Sequence, residues 1–305
     1  MPKLWVLCAR GEVEEVRAAL ARGEDVNAPD GIRDSNRTPL MCAVDSFSDH
    51  PLHEKHVSVV KLLLEQPSID VNQAGHGGTT ALHLATVHGN LEAVRLLLAD
   101  QRLDVNCKDW KQTTPLIIAA AKESQIEIFK LLLAEPKVDV NCVSSNPAMP
   151  PFGRAWHGMA PIGEVTALMI SSMSSNVEAT KLLLDDQRVD LSWPHGTSGL
   201  SVLHRLVTNS RVNLKLLELF LAHPRVDVNG RYGPLGLTIL HLAAVLCRNV
   251  DVVKLILAEP RFNSANAPNG DGIPAVAAAA IKGHWDVLKV LVEHPSIELV
   301  GDLTR

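Results

Sequence analysis

The feature that most limits what this chain can fold into is a segment of about 35 residues that recurs along its length. The clearest copy is TALHLATVHGNLEAVRLLLADQRLDVN, residues 80–106. Its first half puts Leu82, Leu84 and Ala85 on one helical face, and its second half repeats leucine and valine at helical spacing after a His-Gly-Asn break. Two helices this short cannot bury their apolar faces alone, so the pattern predicts stacked helix pairs.

Two registers repeat together along the chain. Thr80, the residue before the first helix, has counterparts at Pro2, Thr38, Thr114, Thr166, Ser201, Thr238 and, more weakly, Pro274. A residue of the second helix that precedes an apolar triplet or its remnant gives the other register: Arg17, Lys61, Arg95, Lys130, Lys181, Glu218, Lys254 and Lys289. Because both registers agree over eight copies, the sequence predicts one repeat array rather than two unrelated domains.

The repeated segment resembles the ankyrin repeat, whose pattern reads TPLHLAAxxGHLEVVKLLLxxGADVN. The resemblance implies an all-α solenoid of paired antiparallel helices with β-hairpin or loop fingers, in a single domain over residues 1–305. The expected repeats are approximately 2–27, 36–72, 78–106, 112–141, 164–192, 199–229, 236–265 and 272–305. Two insertions are expected, at 46–56 and 142–164.

Composition excludes several functions. The net charge is −5 and no basic run occurs, which argues against nucleic-acid binding. No apolar run approaches the roughly 20 residues of a membrane span, and the first residues do not read as a signal peptide. Five cysteines at these positions do not form a disulfide framework. We therefore expect free thiols and a monomer in a reducing compartment, the cytoplasm or the nucleus.

No catalytic motif appears, so the sequence predicts a protein that is not an enzyme and needs no cofactor. The aspartates before Val or Leu, Asp70 and Asp104 among them, recur in most repeats, which indicates a structural role at a turn. The resemblance implies a protein-binding module that acts as an adaptor, scaffold or stoichiometric inhibitor. One alternative is a structural element of a larger assembly.

A second alternative is metal binding by the 46–56 insertion. His50, His53 and His56 are spaced by three residues, and close imidazoles can bind a transition metal. A solvated loop that happens to contain histidines explains the same pattern, since Pro51 interrupts a continuous helix and no fourth ligand is evident.

The resemblance also implies where a partner would bind: finger tips, and two exposed positions near the end of each first helix. The candidates are Trp110, Lys111, His76, Val87, His88, Lys122, Phe152, Trp156, Met173, Trp193, Tyr232, Val245, Leu246 and Ile281. By the same rule Asp45 is expected on this exposed face. Trp110 sits at a predicted hairpin tip and either faces a partner or packs on a neighbouring finger or on the 142–164 loop.

The 142–164 segment has two interpretations. It has four prolines and two charged residues, and it is more apolar than a solvated linker. It either folds back on the repeats or presents Phe152 and Trp156 to a partner.

Three further expectations concern single residues. The resemblance implies that His83, His204 and His241 hydrogen-bond backbone between repeats. Trp285 stands where the family has an apolar core residue, so we expect it in the core. Four asparagines follow Asp-Val, each with a leucine eight residues earlier, similar to the family context for hydroxylation, although asparagine also fits the turn alone: Asn72, Asn106, Asn141 and Asn229.

Overall fold

The computed structural model describes residues 2–32, 35–45, 54–145, 165–192, 201–209, 212–246 and 249–298. Regular structure in these residues is helical, which confirms the all-α prediction. Sixteen α-helices lie in them: α1 Leu4–Arg10, α2 Val13–Ala21, α3 Pro39–Val44, α4 Glu54–Leu64, α5 Ala81–Val87, α6 Leu91–Leu98, α7 Pro115–Ala120, α8 Ile126–Ala134, α9 Ala167–Met173, α10 Val177–Asp185, α11 Val202–Thr208, α12 Leu214–Ala222, α13 Ile239–Leu246, α14 Val250–Ala258, α15 Ala275–Lys282 and α16 Trp285–Glu293. Short 3₁₀ turns occupy His76–Gly78 and Glu123–Gln125.

The helices stack in two parallel series. The chain divides into two compact units, Met1–Ile170 and Ser171–Arg305. In the first unit, each first helix contacts the next (α1, α3, α5, α7), and so does each second helix (α2, α4, α6, α8). In the second unit the same holds for α11, α13 and α15, and for α10, α12, α14 and α16. Each helix pair therefore buries its apolar faces against its neighbours.

The first helices begin where the sequence register places a hydroxyl. Thr38 accepts a hydrogen bond from the Met41 amide at 3.2 Å, which satisfies one of the free N–H groups at the helix start. Equivalent caps are formed by Thr80, Thr114, Thr166 and Ser201. Pro274, the weak member of the register, has no side chain that can cap α15.

The turn between the two helices contains a left-handed residue in several repeats. Gly89 takes this conformation with φ of 73°, which costs a glycine little. In the repeat that contains α9 and α10, Ser175 stands at the same place with φ of 60°, so a non-glycine residue accepts the strained backbone there.

Asparagine side chains link several repeats to the next repeat. The Asn72 amide donates to the Arg102 carbonyl at 2.7 Å, and its carbonyl oxygen accepts from the Asp104 amide at 2.8 Å. Asn106 makes the same two bonds with Lys137 and Asp139. Asn27, Asn229 and Asn266 repeat the pattern. We call this set of bonds the asparagine ladder.

The aspartates that precede these asparagines hold the turn. The Asp104 carboxylate accepts from the Asn106 amide at 2.9 Å, and Asp70 does the same for Asn72 at 3.0 Å. The predicted structural role of the recurring aspartates is therefore confirmed in these turns.

Arginines close the ends of second helices. The Arg102 guanidinium donates to the Leu64 carbonyl at 2.8 Å and to the Gln66 carbonyl at 3.1 Å, in the repeat before its own. Arg225 and Arg261 make corresponding bonds to carbonyls at or after the ends of α10 and α12. These contacts satisfy carbonyls that a helix end leaves without partners.

None of the described helices has the length and apolar character needed to cross a bilayer, and the longest of them, α4, has 11 residues.

Replacing Asn106 by alanine tests the ladder. The variant loses two inter-repeat hydrogen bonds and leaves one backbone N–H and one carbonyl unpaired, so we expect the free energy of unfolding to fall by about 1–3 kcal/mol. Urea unfolding followed by circular dichroism measures the change. The matched control is Lys108→Ala, two residues away and exposed, which should change stability by less than about 0.5 kcal/mol. Equal effects of the two substitutions would contradict the ladder's role.

Candidate functional site

Trp110 is a large apolar side chain that the fold leaves open to solvent. It is 73% exposed, at the tip of the finger before α7. Its backbone N–H donates to the Gly77 carbonyl of the preceding finger at 2.8 Å. The indole lies 5.2 Å from the His76 imidazole, measured between ring centroids, and leaves no room for a Cβ at Gly78. One side of the indole is therefore packed on the neighbouring finger.

The finger that carries Trp110 is fixed by its own backbone. The Asp109 carboxylate accepts from the amides of Lys111 at 2.9 Å and Thr113 at 2.8 Å. Gln112 takes a left-handed conformation with φ of 60° between them. The Lys111 side chain is half-buried, and its carbonyl accepts from Ser145 at 3.0 Å. The indole is consequently held in place before any partner arrives.

A cavity of about 210 Å³ adjoins the His76 finger. The apolar side chains of Met41 and Leu84 line it together with the polar groups of Arg37, His76 and Thr79.

Asp45 corrects one expectation. Its side chain is 3% exposed, and it lies beneath Arg37, which donates to its carboxylate, and His88, whose Nε2 is 2.7 Å from it. Asp45 is therefore not on the exposed face. A buried carboxylate needs such partners. Of Asp45, Arg37 and His88, only the side chains of Arg37 and His88 reach solvent.

Val87 and Lys122 lie in the same region and are joined to each other. Both are half-buried, and the Val87 carbonyl accepts from Lys122 Nζ at 3.0 Å and from Gln125 Nε2 at 3.1 Å. Burial lowers the pKa of Lys122. Six of the candidates belong to the first unit: Trp110, Lys111, His76, Val87, His88 and Lys122. Lys122 uses part of its hydrogen-bonding capacity inside the fold.

In the second unit the candidates differ in exposure. Leu246 is 58% and Ile281 is 70% exposed, at the ends of α13 and α15. Met173 and Val245 are half-buried. Tyr232 is also half-buried: its ring lies 4.0 Å from that of His204 between centroids, and burial raises its pKa.

Trp285 was expected in the core, and this expectation is wrong. It is 70% exposed at the first position of α16. The equivalent Leu91 and Val250 are half-buried, because a further helix pair packs beyond α6 and α14. No described helix packs beyond α16. The sequence pattern identifies the position in a repeat, but the covering neighbour decides its burial.

Several predicted residues lie outside the described part of the chain: Phe152, Trp156, Trp193, His50 and His53. His56 is described, and its Nε2 lies 3.1 Å from the Ala9 carbonyl. Among the described residues, no three His, Cys, Asp or Glu side chains are placed to hold a metal ion.

Two of the three repeated histidines make the bond between repeats that the resemblance implies. His83 Nε2 donates to the Thr113 carbonyl, and His241 Nε2 to the Ile273 carbonyl, each at 3.0 Å. His204 instead packs on Tyr232, while its Nδ1 lies 2.7 Å from the Ser201 hydroxyl. Burial lowers the pKa of all three, that of His204 to about 4. Neutral, internally bonded imidazoles of this kind serve the structure.

The thiols are equally internal. Cys8, Cys42, Cys107 and Cys142 are free, and burial raises the pKa of Cys42 and Cys107 to about 12 and that of Cys142 to about 11. These thiols stay protonated at neutral pH, and a protonated thiol is a poor nucleophile.

Comparison with known proteins gives the same motif. A family model for ankyrin repeats in three copies matches residues 52–144, and a model for the single ankyrin repeat matches 235–269. Over 107 residues the chain is 40% identical to zinc finger CCCH domain-containing protein 24 of Oryza sativa subsp. japonica, covering 32% of this chain and 13% of that protein.

Two further relatives are a cation channel and a protein kinase. Transient receptor potential cation channel subfamily A member 1 of Homo sapiens is 34% identical over 90 residues, which is 29% of this chain and 7% of the channel. Serine/threonine-protein kinase TNNI3K of Mus musculus is 40% identical over 52 residues, 17% of this chain and 6% of the kinase. The chain spans only a small part of each relative's length.

Because His204 is buried, we predict that the stability of the protein depends on pH. In the unfolded chain its pKa is about 6.5, so the unfolded state binds the proton more readily than the folded state. The contribution of neutral His204 to the free energy of unfolding is therefore complete above about pH 6.5. It is lost as the pH falls towards 4, and the loss is about 2 kcal/mol at pH 5. Urea unfolding above pH 6.5 and at pH 5 measures this loss of stability.

The variant His204→Gln provides the comparison, because other groups titrate in the same range. It should start less stable at neutral pH and lose less stability on acidification than the parent protein. Parallel pH curves for the two proteins would show that His204 is not the group responsible.

Proposed function

The chain belongs to the ankyrin-repeat family, and we propose that it binds another protein as an adaptor, scaffold or stoichiometric inhibitor. Ankyrin repeats are generally protein–protein interaction modules, and the family is typically non-catalytic. The finer roles are our inference from the surface of the first unit.

The observation that supports this proposal is the exposure of Trp110 on a fixed finger. Burying an indole contributes more binding free energy than burying most side chains, and Trp is enriched at the residues that dominate interfaces. Asp109 and the Gly77 carbonyl already hold the finger in place. The finger therefore loses little conformational entropy when a partner covers the ring.

We propose that the partner contacts a surface around Trp110 in the first unit. His76 supplies the ring beside the indole, and the 210 Å³ cavity next to it can accept one partner side chain. Exposed His88 and half-buried Val87, Lys111 and Lys122 complete the contact region. In the second unit, Val245, Leu246 and Ile281 are a proposed apolar contribution, with Met173 and Tyr232 as lesser candidates; Phe152, Trp156 and Trp193 remain candidates from the sequence alone.

The repeat organisation and location are also proposals. We propose eight repeats over residues 1–305 with the boundaries given above, and a reducing location in the cytoplasm or the nucleus. Four free, protonated thiols are compatible with such a location.

Replacement of Trp110 by alanine tests the proposed surface. We expect the proteins captured from a cell extract by the wild type to be lost or reduced at least tenfold, because about 1.4 kcal/mol of binding free energy corresponds to a factor of ten. Capture followed by quantitative mass spectrometry measures the change.

Trp285→Ala is the matched control, since it removes a similarly exposed indole from the second unit. It should leave the captured set unchanged. If Trp110→Ala also leaves that set unchanged while the protein remains folded, the assignment of this surface is wrong.

We also propose Asn72, Asn106, Asn141 and Asn229 as sites for an oxygen-dependent asparagine hydroxylase. The side chains of Asn72, Asn106 and Asn229 are bonded in the asparagine ladder, so an enzyme must first open the turn locally. We expect intact-mass measurement after co-expression with such an enzyme to show additions of single oxygen atoms, removed by changing the four residues to alanine. An unmodified mass would exclude these sites.

A further inference from the structure

Arg205 in α11 occupies a helix position that is apolar in the neighbouring repeats. The fourth residues of the first helices from α3 to α15 are Cys42, Leu84, Ile118, Ile170, Arg205, Leu242 and Ala278. In α5 this residue, Leu84, lines the cavity of about 210 Å³ beside His76, so the position can face a surface that a ligand reaches. The fold places an apolar side chain here in the other repeats, so the arginine indicates a role other than packing.

The Arg205 guanidinium has no anion beside it. The side chain is half-buried, and burial lowers its pKa because a cation loses hydration there. Among the residues that the structure describes, no carboxylate or carbonyl pairs with this guanidinium. Arg225 and Arg261, in the same unit, instead donate to backbone carbonyls. A half-buried cation without a partner costs free energy, and an anion that arrives from outside removes this cost.

The surface around Arg205 supplies no such anion from this chain. The described first helices α11, α13 and α15 and the fingers before α13 and α15 contain four charged residues besides histidine: Arg205, Arg231, Asp271 and Lys282. Asp271 belongs to the finger before α15, and α13 packs between α11 and α15. Residues 165–176, 193–200, 210–211 and 247–248 contain no aspartate or glutamate in the sequence. The local charge therefore favours an acidic partner.

An exposed apolar residue lies close to Arg205 in the stack. α11 packs against α13, and the register of the two helices sets Thr208 beside Val245 and the following residue beside Leu246. Thr208 is three residues after Arg205, so the two share one face of α11. Leu246 is 58% exposed and Val245 is half-buried. A cation and an apolar residue are thus about one helix spacing apart on the same surface.

We propose that Arg205 pairs with an aspartate or glutamate side chain of a partner protein, and that an apolar residue of the same partner segment covers Leu246. This inference rests on the proposed role in protein binding, but not on Trp110. A guanidinium presents two parallel N–H groups that match a carboxylate. A phosphate group fits less well, because the other cation of these two repeats, Arg231, already donates to the Pro268 carbonyl at 2.7 Å.

Selection from a displayed library of random peptides tests the proposal. The peptides have about 12 residues, which reach about 40 Å when extended, and the full 305-residue chain is the target. We expect the selected peptides to contain an aspartate or glutamate within about three residues of an apolar residue, because neighbouring helices lie about 10 Å apart. Fluorescence anisotropy of a labelled peptide of this kind then gives its Kd.

Two substitutions should weaken this peptide. Arg205→Leu should raise its Kd by about tenfold or more, because the carboxylate loses its partner. Changing the acidic residue of the peptide to its amide should have the same effect on the wild type and little further effect on Arg205→Leu. Leu246→Glu, which adds an anion at the exposed apolar position, should also raise the Kd by about tenfold or more.

Arg95→Leu is the matched control, since it removes an exposed arginine from the second helix α6. It should leave the peptide Kd unchanged, and so should Trp110→Ala. The proteins captured through Trp110 are a separate measurement, so failure of the Arg205 site leaves that proposal standing.

Thermal unfolding followed by circular dichroism separates binding from folding. Arg205→Leu should melt at the same temperature as the wild type or higher, because leucine occupies this position in α5 and α13. A clearly lower midpoint would assign Arg205 to the stability of the fold and overturn the proposal. Selected peptides without acidic residues overturn it as well, and so does a peptide Kd that Arg205→Leu leaves unchanged.

Discussion

The structure depends on the pairing of an asparagine side chain with the backbone of the following repeat. Pairs of helices of six to eleven residues each have little stability alone, and apolar contacts between them do not fix a register along the stack. Each ladder amide both donates to and accepts from the next repeat, as Asn106 does with Lys137 and Asp139. The two bonds have fixed directions, so they set the offset at which one repeat lies on its neighbour.

The helices and the asparagine ladder stabilise the stack, so the fingers are free for function. A repeat stabilises its core with its helices and its register with the ladder, so the finger needs only its internal bonds, such as those that Asp109 accepts from Lys111 and Thr113. Residues at finger tips can therefore vary without loss of the fold. Exposed apolar residues occur at three described fingers, Ile32, Trp110 and Leu235, and Trp110 is the largest and most exposed of them.

Local rules predicted much of this fold. The register of Thr38 and Thr80 located the starts of the first helices, where the structure shows that both residues are caps, and helical periodicity located the helix pairs. Both signals depend on residues within a few positions of each other. Asp45 and Trp285 were misjudged for the opposite reason. Burial of Asp45 depends on its pairing with Arg37 and with His88 of the next repeat, and exposure of Trp285 depends on which described helices pack beside α16. The few residues on either side of Asp45 or Trp285 do not contain that information.

Among the described residues, two exposed tryptophans illustrate how similar exposure arises from different physical causes. Trp110 is exposed because a rigid finger carries it away from any core, and its neighbours His76 and Gly77 hold it there. Trp285 is exposed because no described helix packs beyond α16 at a position that is half-buried in the other repeats. The first surface can be changed with little effect on the repeats beneath it, whereas the second is a part of the repeat core itself. A partner at Trp110 is therefore free to be unlike the chain, whereas a segment that covers Trp285 would need an apolar surface like that of the helices packed beside α14.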